Sequence, residues 1–248
     1  KTLLADIYTP SGTGPFPSVL LIHGGAWKRG DRTQVRGLAE RIAARGYLVV
    51  NTTYRLVPDY IFPAQLQDVQ QAARWMRVSG ASYGIDPKRI VIAGHSMGGF
   101  MTVQTAAHNP GLAGVILIDA WNPAASAAGL SNPQAQAAIV AGLAESMPPI
   151  SGIIAQGLLA EMAANAAGWN NGAQAPALAK APLLIFGGTT GSGGSAGFGT
   201  VNAALAKSVE AVPGAKVTSY IWPTDHYLSD HRVALTSAII EWLQRLPR

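Results

Sequence analysis

The chain has 248 residues, a length that suits one large α/β domain, and 48% of them are hydrophobic while only 12% are charged. This composition supplies material for a buried core, but no apolar run approaches the roughly 20 residues that a membrane-spanning helix needs. The net charge is +5, yet the basic residues are scattered and no nucleic-acid motif is present, so neither a membrane span nor a nucleic-acid partner is expected.

The absence of cysteine excludes several kinds of site. There is no cysteine, which excludes disulfides, thiolate metal sites and a cysteine nucleophile, and we expect no metal site. The chain begins at Lys1 rather than at methionine, so we expect that a leader or tag preceded it. This expectation favours a secreted or periplasmic protein over a cytoplasmic one, and it leaves the oligomeric state open.

Strand and helix patterns alternate through the first part of the chain. Continuous apolar runs predict strands that are covered on both faces, and apolar residues at helical spacing predict helices between them. The predicted strands are Leu3–Thr9, Ser18–His23 and Tyr47–Thr53, and the predicted helices are Arg32–Arg45 and Pro63–Arg77. Asp86-Pro87 is expected to form a turn before the next strand.

The stretch Ile90–Gly99 combines a β-branched run with the pattern G-x-S-x-G, and a helix is predicted from about Phe100. Strand, G-x-S-x-G and helix in this order are typical of a nucleophile elbow, a sharp turn that exposes the serine hydroxyl. Gly94 and Gly98 would let the strand and the helix pass without Cβ clashes. We therefore predict that Ser96 is a nucleophile.

The alternation resumes after the elbow and continues to the end of the chain. Strand patterns fall at Gly114–Asp119, Pro182–Phe186 and Lys216–Trp222, and helical patterns fall at Val201–Val212 and Arg232–Leu246. Because strands alternate with helices almost throughout, we predict an α/β fold with a mostly parallel sheet and helices on both faces. We expect one domain spanning residues 1–248.

Residues 120–180 interrupt this rhythm. The segment is rich in alanine, and nearly all of it is without lysine or arginine. It follows a strand, where open α/β sheets place their ligand sites. We predict an apolar helical cap or lid over the site, and ordinary packing helices are the alternative.

A serine hydroxyl needs a base within hydrogen-bond reach, and five histidines are available. His226 follows the predicted strand Lys216–Trp222, so it shares with Ser96 the edge where parallel strands end. We predict that His226 is the base. The alternatives are His23, which lies in a glycine loop, and His95, which points differently on the elbow. Two others are His108, at the far end of the elbow helix, and His231, at the start of the last helix.

The segment His23-Gly24-Gly25-Ala26-Trp27 follows an inner strand and supplies backbone N–H groups for a developing negative charge. We predict an oxyanion hole formed by the amides of Gly24 and Gly25 together with that of Met97, which follows the nucleophile. Trp27 and Trp121 are candidates for shaping an acyl or aryl pocket, although plain core packing would explain tryptophans equally well.

Four segments occur in the order seen in one group of enzymes: His23–Trp27, Tyr54-Arg55-Leu56, Gly94–Gly99 and Asp225-His226. In these motifs the chain resembles α/β-hydrolase-fold esterases with an HGG-x-W loop, the branch of hormone-sensitive-lipase, feruloyl-esterase-like and kynurenine-formamidase-like enzymes. The resemblance covers nearly all of the chain except 120–179. It implies the α/β-hydrolase fold, an acyl-enzyme on Ser96, a general base at His226 and no cofactor.

The chain departs from this group at the acidic member of the triad. The resemblance leads one to expect a carboxylate after the strand containing Leu183–Phe186, but none occurs between Glu161 and Glu210. Asp119 ends the strand after the elbow helix, and some lipases resembling this fold use an acid there, so we predict Asp119. The alternatives are Asp225, Asp230 or a Ser–His pair without an acid, which would be slow.

Together these features predict a serine hydrolase of carboxylic esters that acts on a small-molecule ester with an apolar acyl or aryl group. Two alternatives stay open from the sequence. The first is an amidase or formamidase, which would use the same nucleophile. The second is a catalytically idle hydrolase-fold protein that binds a small ligand.

Overall fold

The computed structural model describes residues 2–128, 134, 137, 160, 163–190 and 198–247. Seven strands form one sheet in the order β1-β3-β2-β4-β5-β6-β7, in which β1 is antiparallel to β3 and every other neighbouring pair is parallel. The strands are β1 Ala5–Tyr8, β2 Phe16–Ile22, β3 Leu48–Thr52, β4 Ile85–His95, β5 Gly114–Ile118, β6 Leu183–Gly188 and β7 Val217–Trp222.

Helices connect the strands within the described residues. They are α1 Arg36–Ala43, α2 Ala64–Val78, α3 Met97–Ala107, α4 Pro123–Ala128, α5 Ala166–Trp169, α6 Ala175–Leu178, α7 Phe198–Glu210 and α8 Arg232–Gln244. Short 3-10 turns lie at Arg32–Val35, Gly80–Tyr83, Asn171–Gln174 and Ser229–His231. The predicted α/β architecture, a mostly parallel sheet with helices, is therefore confirmed.

Alternate residues of the central strands enter two separate cores, one on each face of the sheet. On one face Leu20 and Val50 pack in a cluster that includes Phe100 of α3. On the other face Val19 and Val49 pack in a cluster that includes Ile42 of α1 and residues of α8. Because both faces are covered, these strands are apolar at successive positions, which explains their continuous hydrophobic runs.

Most element boundaries differ from the predictions by a few residues, and three of the differences are informative. Helix α3 begins at Met97 rather than near Phe100, and it includes Gly98 and Gly99, where a side chain would meet neighbouring backbone or Ala120. Helix α7 begins earlier than predicted and ends at Glu210. The turn expected at Asp86-Pro87 lies inside β4, where the register with β2 shifts between Phe16 and Ser18.

Most of the predicted cap at 120–180 lies outside the described residues, so the cap stays a prediction. Its described ends contain α4, α5 and α6. Within the described residues, no helix is long and apolar enough to cross a membrane.

Candidate active site

Ser96 lies in the tight turn between β4 and α3. Its backbone angles are φ 57° and ψ −121°, a conformation that costs a non-glycine residue energy and that surrounding structure must enforce. The two flanking glycines explain how the turn closes. A Cβ on Gly94 would lie 2.3 Å from the carbonyl oxygen of Gly98, and one on Gly98 would lie 2.5 Å from that of His23. Both positions therefore require glycine.

Three side chains from three separate loops form one chain of hydrogen bonds. The hydroxyl of Ser96 lies 2.9 Å from Nε2 of His226, and Nδ1 of His226 lies 2.6 Å from Oδ2 of Asp119. An ionised carboxylate only accepts hydrogen bonds, so Nδ1 carries the proton and Nε2 presents its lone pair to the hydroxyl. The side chain of His226 is 13% exposed and that of Asp119 is fully buried.

Asp119 follows β5 directly and has a φ of 42°. Its second oxygen, Oδ1, accepts the backbone N–H of Gly188 at 3.1 Å and faces the side-chain amide of Asn202 at 3.4 Å. Burial raises the pKa of Asp119 above the ordinary aspartate value, and the hydrogen bond and charge of His226 oppose that rise. The carboxylate is thus held between two donor groups on one oxygen and the imidazole on the other.

The two other aspartates considered for this place have different partners. Asp225 accepts the backbone N–H groups of Tyr227 and Ser229, at 3.0 and 2.9 Å, and so shapes the turn that carries His226. Asp230 accepts the hydroxyl of Thr224 and lies 2.8 Å from Nδ1 of His231. Neither carboxylate is hydrogen-bonded to His226.

The glycine loop after β2 lies directly against the nucleophile. A Cβ on Gly24 would be 3.1 Å from Cβ of Ser96, and one on Gly25 would collide with the carbonyl oxygen of Arg29 at 1.9 Å. Gly25 has a φ of 114°, in the left-handed region that favours glycine. Tyr54 stabilises the loop, because its hydroxyl donates a hydrogen bond to the carbonyl oxygen of Gly24 at 3.0 Å.

The role predicted for three backbone amides in an oxyanion hole stays a prediction, and their hydrogen bonding is consistent with it. Across the described parts of the chain, the hydrogen bonds give the N–H groups of Gly24, Gly25 and Met97 no protein acceptor. Met97 is also the first residue of α3, where the helix dipole favours negative charge. Backbone N–H groups beside a serine hydroxyl can stabilise an oxyanion.

Solved structures of esterases have the same fold as this chain. Esterase B from Lactobacillus rhamnosis superposes on this structure with a TM-score of 0.71 and 20% sequence identity. The superposition covers 96% of this chain and 80% of the esterase chain. A bacterial heroin esterase matches with a TM-score of 0.70 and 18% identity over 99% of this chain and 80% of the other. The chain adopts the α/β-hydrolase fold.

Sequence comparison links the N-terminal part of this chain to esterases. A protein-family model described as BD-FAE matches residues 5–114. Versiconal hemiacetal acetate esterase of Dothistroma septosporum is 36% identical over 94 residues, covering 38% of this chain and 29% of the relative. Carboxylesterase NlhH of Mycobacterium tuberculosis is 37% identical over 93 residues, covering 37% of this chain and 29% of the relative. The resemblance to esterases of this fold is confirmed, while the match spans less than a third of these curated relatives.

The two tryptophans predicted to shape the substrate pocket belong to a buried aromatic cluster. Trp27 and Trp121 meet edge to face at 5.6 Å, and Phe62 and Phe100 pack against them. Trp27 is 5% exposed and Trp121 is 6% exposed. The backbone N–H of Trp121 donates to the carbonyl oxygen of Ser96 at 3.0 Å, so the cluster lies directly behind the nucleophile. Direct substrate contact by either tryptophan stays a prediction.

The sequence analysis missed three residues that the structure brings together around Asp119 and His226. Asn202, on α7, is 1% exposed and also donates to the carbonyl oxygens of Ala120 and Phe198. The ring of Phe198 meets the imidazole of His226 edge to face at 4.9 Å. The backbone N–H of Gly188 completes the setting of Asp119. An asparagine between Val201 and Ala203 in a predicted helix was the one sequence signal, because an amide that is buried with its apolar neighbours needs partners.

The other histidines take structural positions, with one exception. His23 is buried and stacks on Tyr54 at 4.3 Å, and burial lowers its pKa. His231 stacks on Trp222 at 5.0 Å. His95 is the exception, since its ring lies 4.8 Å from that of His226. Among the described residues, no cluster of three metal-ligating side chains occurs.

Proposed function

We propose that this α/β-hydrolase cleaves carboxylic esters through an acyl-enzyme on Ser96. The observation that carries the proposal is the hydrogen-bonded chain from the hydroxyl of Ser96 through His226 to Asp119. It lies beside the predicted oxyanion amides, which have no acceptor among the described residues. A nucleophile, a base, an orienting acid and an oxyanion site are the parts that acyl transfer requires. The names of the relatives support the same class of reaction.

In the acylation step the oxygen of Ser96 attacks the ester carbonyl carbon while Nε2 of His226 takes the hydroxyl proton. The negative charge that develops on the carbonyl oxygen would be stabilised by the N–H groups of Gly24, Gly25 and Met97. When the tetrahedral intermediate collapses, His226 returns the proton to the leaving alcohol. Water, deprotonated by the same imidazole, then attacks the acyl-serine. As the second tetrahedral intermediate collapses, the carboxylic acid is released and His226 returns the proton to the oxygen of Ser96.

In this proposal Asp119 keeps the imidazole in the tautomer that accepts from Ser96 and stabilises the imidazolium that forms during each proton transfer. The 2.6 Å contact with Nδ1 of His226 supports that role. The carboxylate follows the end of β5 rather than the end of β6, where the resemblance leads one to expect it. The last residue of β6, Gly188, instead donates its backbone N–H to Asp119.

We propose a small ester with an apolar acyl or aryl group as the substrate. A second candidate is the corresponding amide, because arylacetamide deacetylase of Bos taurus is 41% identical over 93 residues, covering 34% of this chain and 23% of that protein. The nucleophile and the oxyanion site would serve both reactions. Amide cleavage depends more strongly on protonation of the leaving nitrogen by the general acid.

Hydrolysis of p-nitrophenyl acetate and p-nitrophenyl butyrate tests the proposal, with Ser96→Ala as the decisive variant. Ser82→Ala is a matched control, because the hydroxyl of Ser82 is exposed and donates only to the carbonyl oxygen of Ser79. We expect the first variant to lose activity by about 10³-fold or more and the control to retain it. Equal activity in the Ser96 variant would refute the proposal.

A second measurement separates the remaining candidates. Rates on p-nitrophenyl acetate and p-nitroacetanilide distinguish an esterase from an amidase, because the two substrates share their acyl and aryl groups. A protein that binds these compounds but neither turns them over nor reacts with a fluorophosphonate would instead be an idle ligand-binding member of the fold.

A further inference from the structure

His95 touches each of the three segments that would act in catalysis. It is the last residue of β4 and precedes Ser96. Its Nε2 lies 3.0 Å from the main-chain oxygen of His226, and a Cβ on Gly24 would lie 2.8 Å from its Nδ1. The elbow, the histidine loop and the oxyanion loop therefore meet at this one ring.

The hydrogen bond fixes the tautomer of His95. A carbonyl oxygen only accepts, so Nε2 carries the proton and donates it to the main chain of His226. Burial, followed by the neighbouring charge of His226, lowers the pKa of His95 to about 3. The ring is therefore neutral wherever the hydrolase would work, and it places no positive charge beside the imidazolium that forms on His226.

The ring also packs against the loop that it binds. The rings of His95 and His226 lie 4.8 Å apart with an angle of 31° between their planes, and the ring of Tyr227 lies 5.8 Å away. On its other side, His226 is met by Phe198 at 4.9 Å. The turn of Asp225 orders this loop internally, whereas His95 ties it to the central sheet.

From these contacts we propose that His95 is a positioning residue, whose N–H holds the main chain of His226 so that the imidazole stays in line with Ser96. The inference rests on the proposed ester hydrolysis, because it concerns the same pair of reacting groups. A displacement of about 1 Å in such a pair can cost about 100-fold in rate. The N–H of His95 and its ring can be tested separately.

Two substitutions divide these contributions. His95→Phe keeps a ring against His226 but removes the N–H donor, and His95→Gln keeps a donor near the same place but removes the ring. His108→Phe is the matched control, because Nδ1 of His108 also bonds a carbonyl oxygen, that of Gln104 at 2.8 Å, at the far end of α3. Circular dichroism and melting curves establish that each variant is folded.

On a p-nitrophenyl ester, we expect His95→Phe to lower kcat about 10- to 100-fold with KM changed less than about twofold. The kcat of His95→Gln should lie within about threefold of that of the unsubstituted protein, because a donor is kept. The kcat of His108→Phe should equal that of the unsubstituted protein. A kcat for His95→Phe within about twofold of the unsubstituted value would overturn the proposal. So would a His95→Gln variant as slow as His95→Phe, because the N–H would then not be the positioning group.

A readout that does not need turnover distinguishes this inference from the proposed function. The exchange of the Nδ1 proton of His226 with water, followed by nuclear magnetic resonance, reports how firmly the imidazole is held against Asp119. We expect faster exchange in His95→Phe and nearly unchanged exchange in His95→Gln. If the unsubstituted protein cleaves no ester, the proposed function fails, and this exchange pattern still decides whether His95 positions the imidazole. Unchanged exchange in both variants would refute that role.

Discussion

Replacing Asp119 by asparagine tests the acid of the proposed triad without changing its shape. Two donors, the N–H of Gly188 and the amide of Asn202, face the oxygen Oδ1 of Asp119. An asparagine would therefore turn its own oxygen toward them and present its NH₂ group to Nδ1 of His226. A donor at that place forces Nδ1 to accept, which moves the ring proton to Nε2. The imidazole would then donate to Ser96 instead of accepting its proton.

The expected loss follows from this tautomer change. The same substitution in the well-studied serine protease triad lowers kcat about 10⁴-fold, which corresponds to roughly 5 kcal/mol of activation free energy. We expect a loss of about 10³- to 10⁴-fold in kcat on p-nitrophenyl butyrate, with little change in KM. Folding should persist, because the substitution also removes a buried charge whose pKa is raised by burial.

Asp230→Asn is the matched control for this experiment. Its carboxylate is 65% exposed and binds Thr224 and His231 rather than His226. We expect activity within about twofold of the unsubstituted protein, since surface substitutions usually have small effects. Retention of more than a tenth of the activity in Asp119→Asn would refute the reasoning, and so would an equal loss in Asp230→Asn.

Further predictions concern stability and the elbow. Because the pKa of Asp119 is raised in the folded state, ionisation of this carboxyl disfavours folding. The free energy of unfolding of Asp119→Asn, relative to that of the unsubstituted protein, should therefore rise from pH 4 to pH 7 in urea titrations. A difference that stays constant with pH would contradict this. Asn202→Leu should lower the free energy of unfolding by about 1–3 kcal/mol, since it leaves the buried carbonyl oxygen of Ala120 without its donor. Gly98→Ala should lower kcat or folded yield at least about tenfold, because its Cβ would lie 2.5 Å from the carbonyl oxygen of His23. Gly37→Ala is its control, since that position on α1 has open space and a helical alanine is favoured by about 1 kcal/mol.

The order of strands and helices could be predicted because their signals are local. The runs at Val19–Ile22 and Val115–Ile118 enter cores on both faces of the sheet, so each is apolar throughout. The start of α3 could not be predicted from the sequence, because Gly98 and Gly99 have low helix propensity. The helix contains them because neighbouring backbone and Ala120 leave no room for a larger side chain. The elbow at Ser96 was recognisable because the turn itself demands glycines at fixed spacing.

Contacts that join distant loops were harder to predict. Asp119 and His226 are separated by 107 residues. The shared edge of a parallel sheet, together with the resemblance to lipases that use an acid at this strand end, suggested that they could meet. Asn202 lies 83 residues from Asp119, and no motif marks it. His95 was set aside because its side chain leaves the elbow in another direction from Ser96, yet that direction brings it against the loop of His226.

The most direct test of the central claim is to follow p-nitrophenol release before the steady state and to map the acyl group by peptide mass. The proposed mechanism predicts a burst that approaches one equivalent per chain and an acyl mass on the peptide containing Ser96, absent from Ser96→Ala. Ester turnover with no acylated peptide, or acylation that persists in the alanine variant, would contradict it.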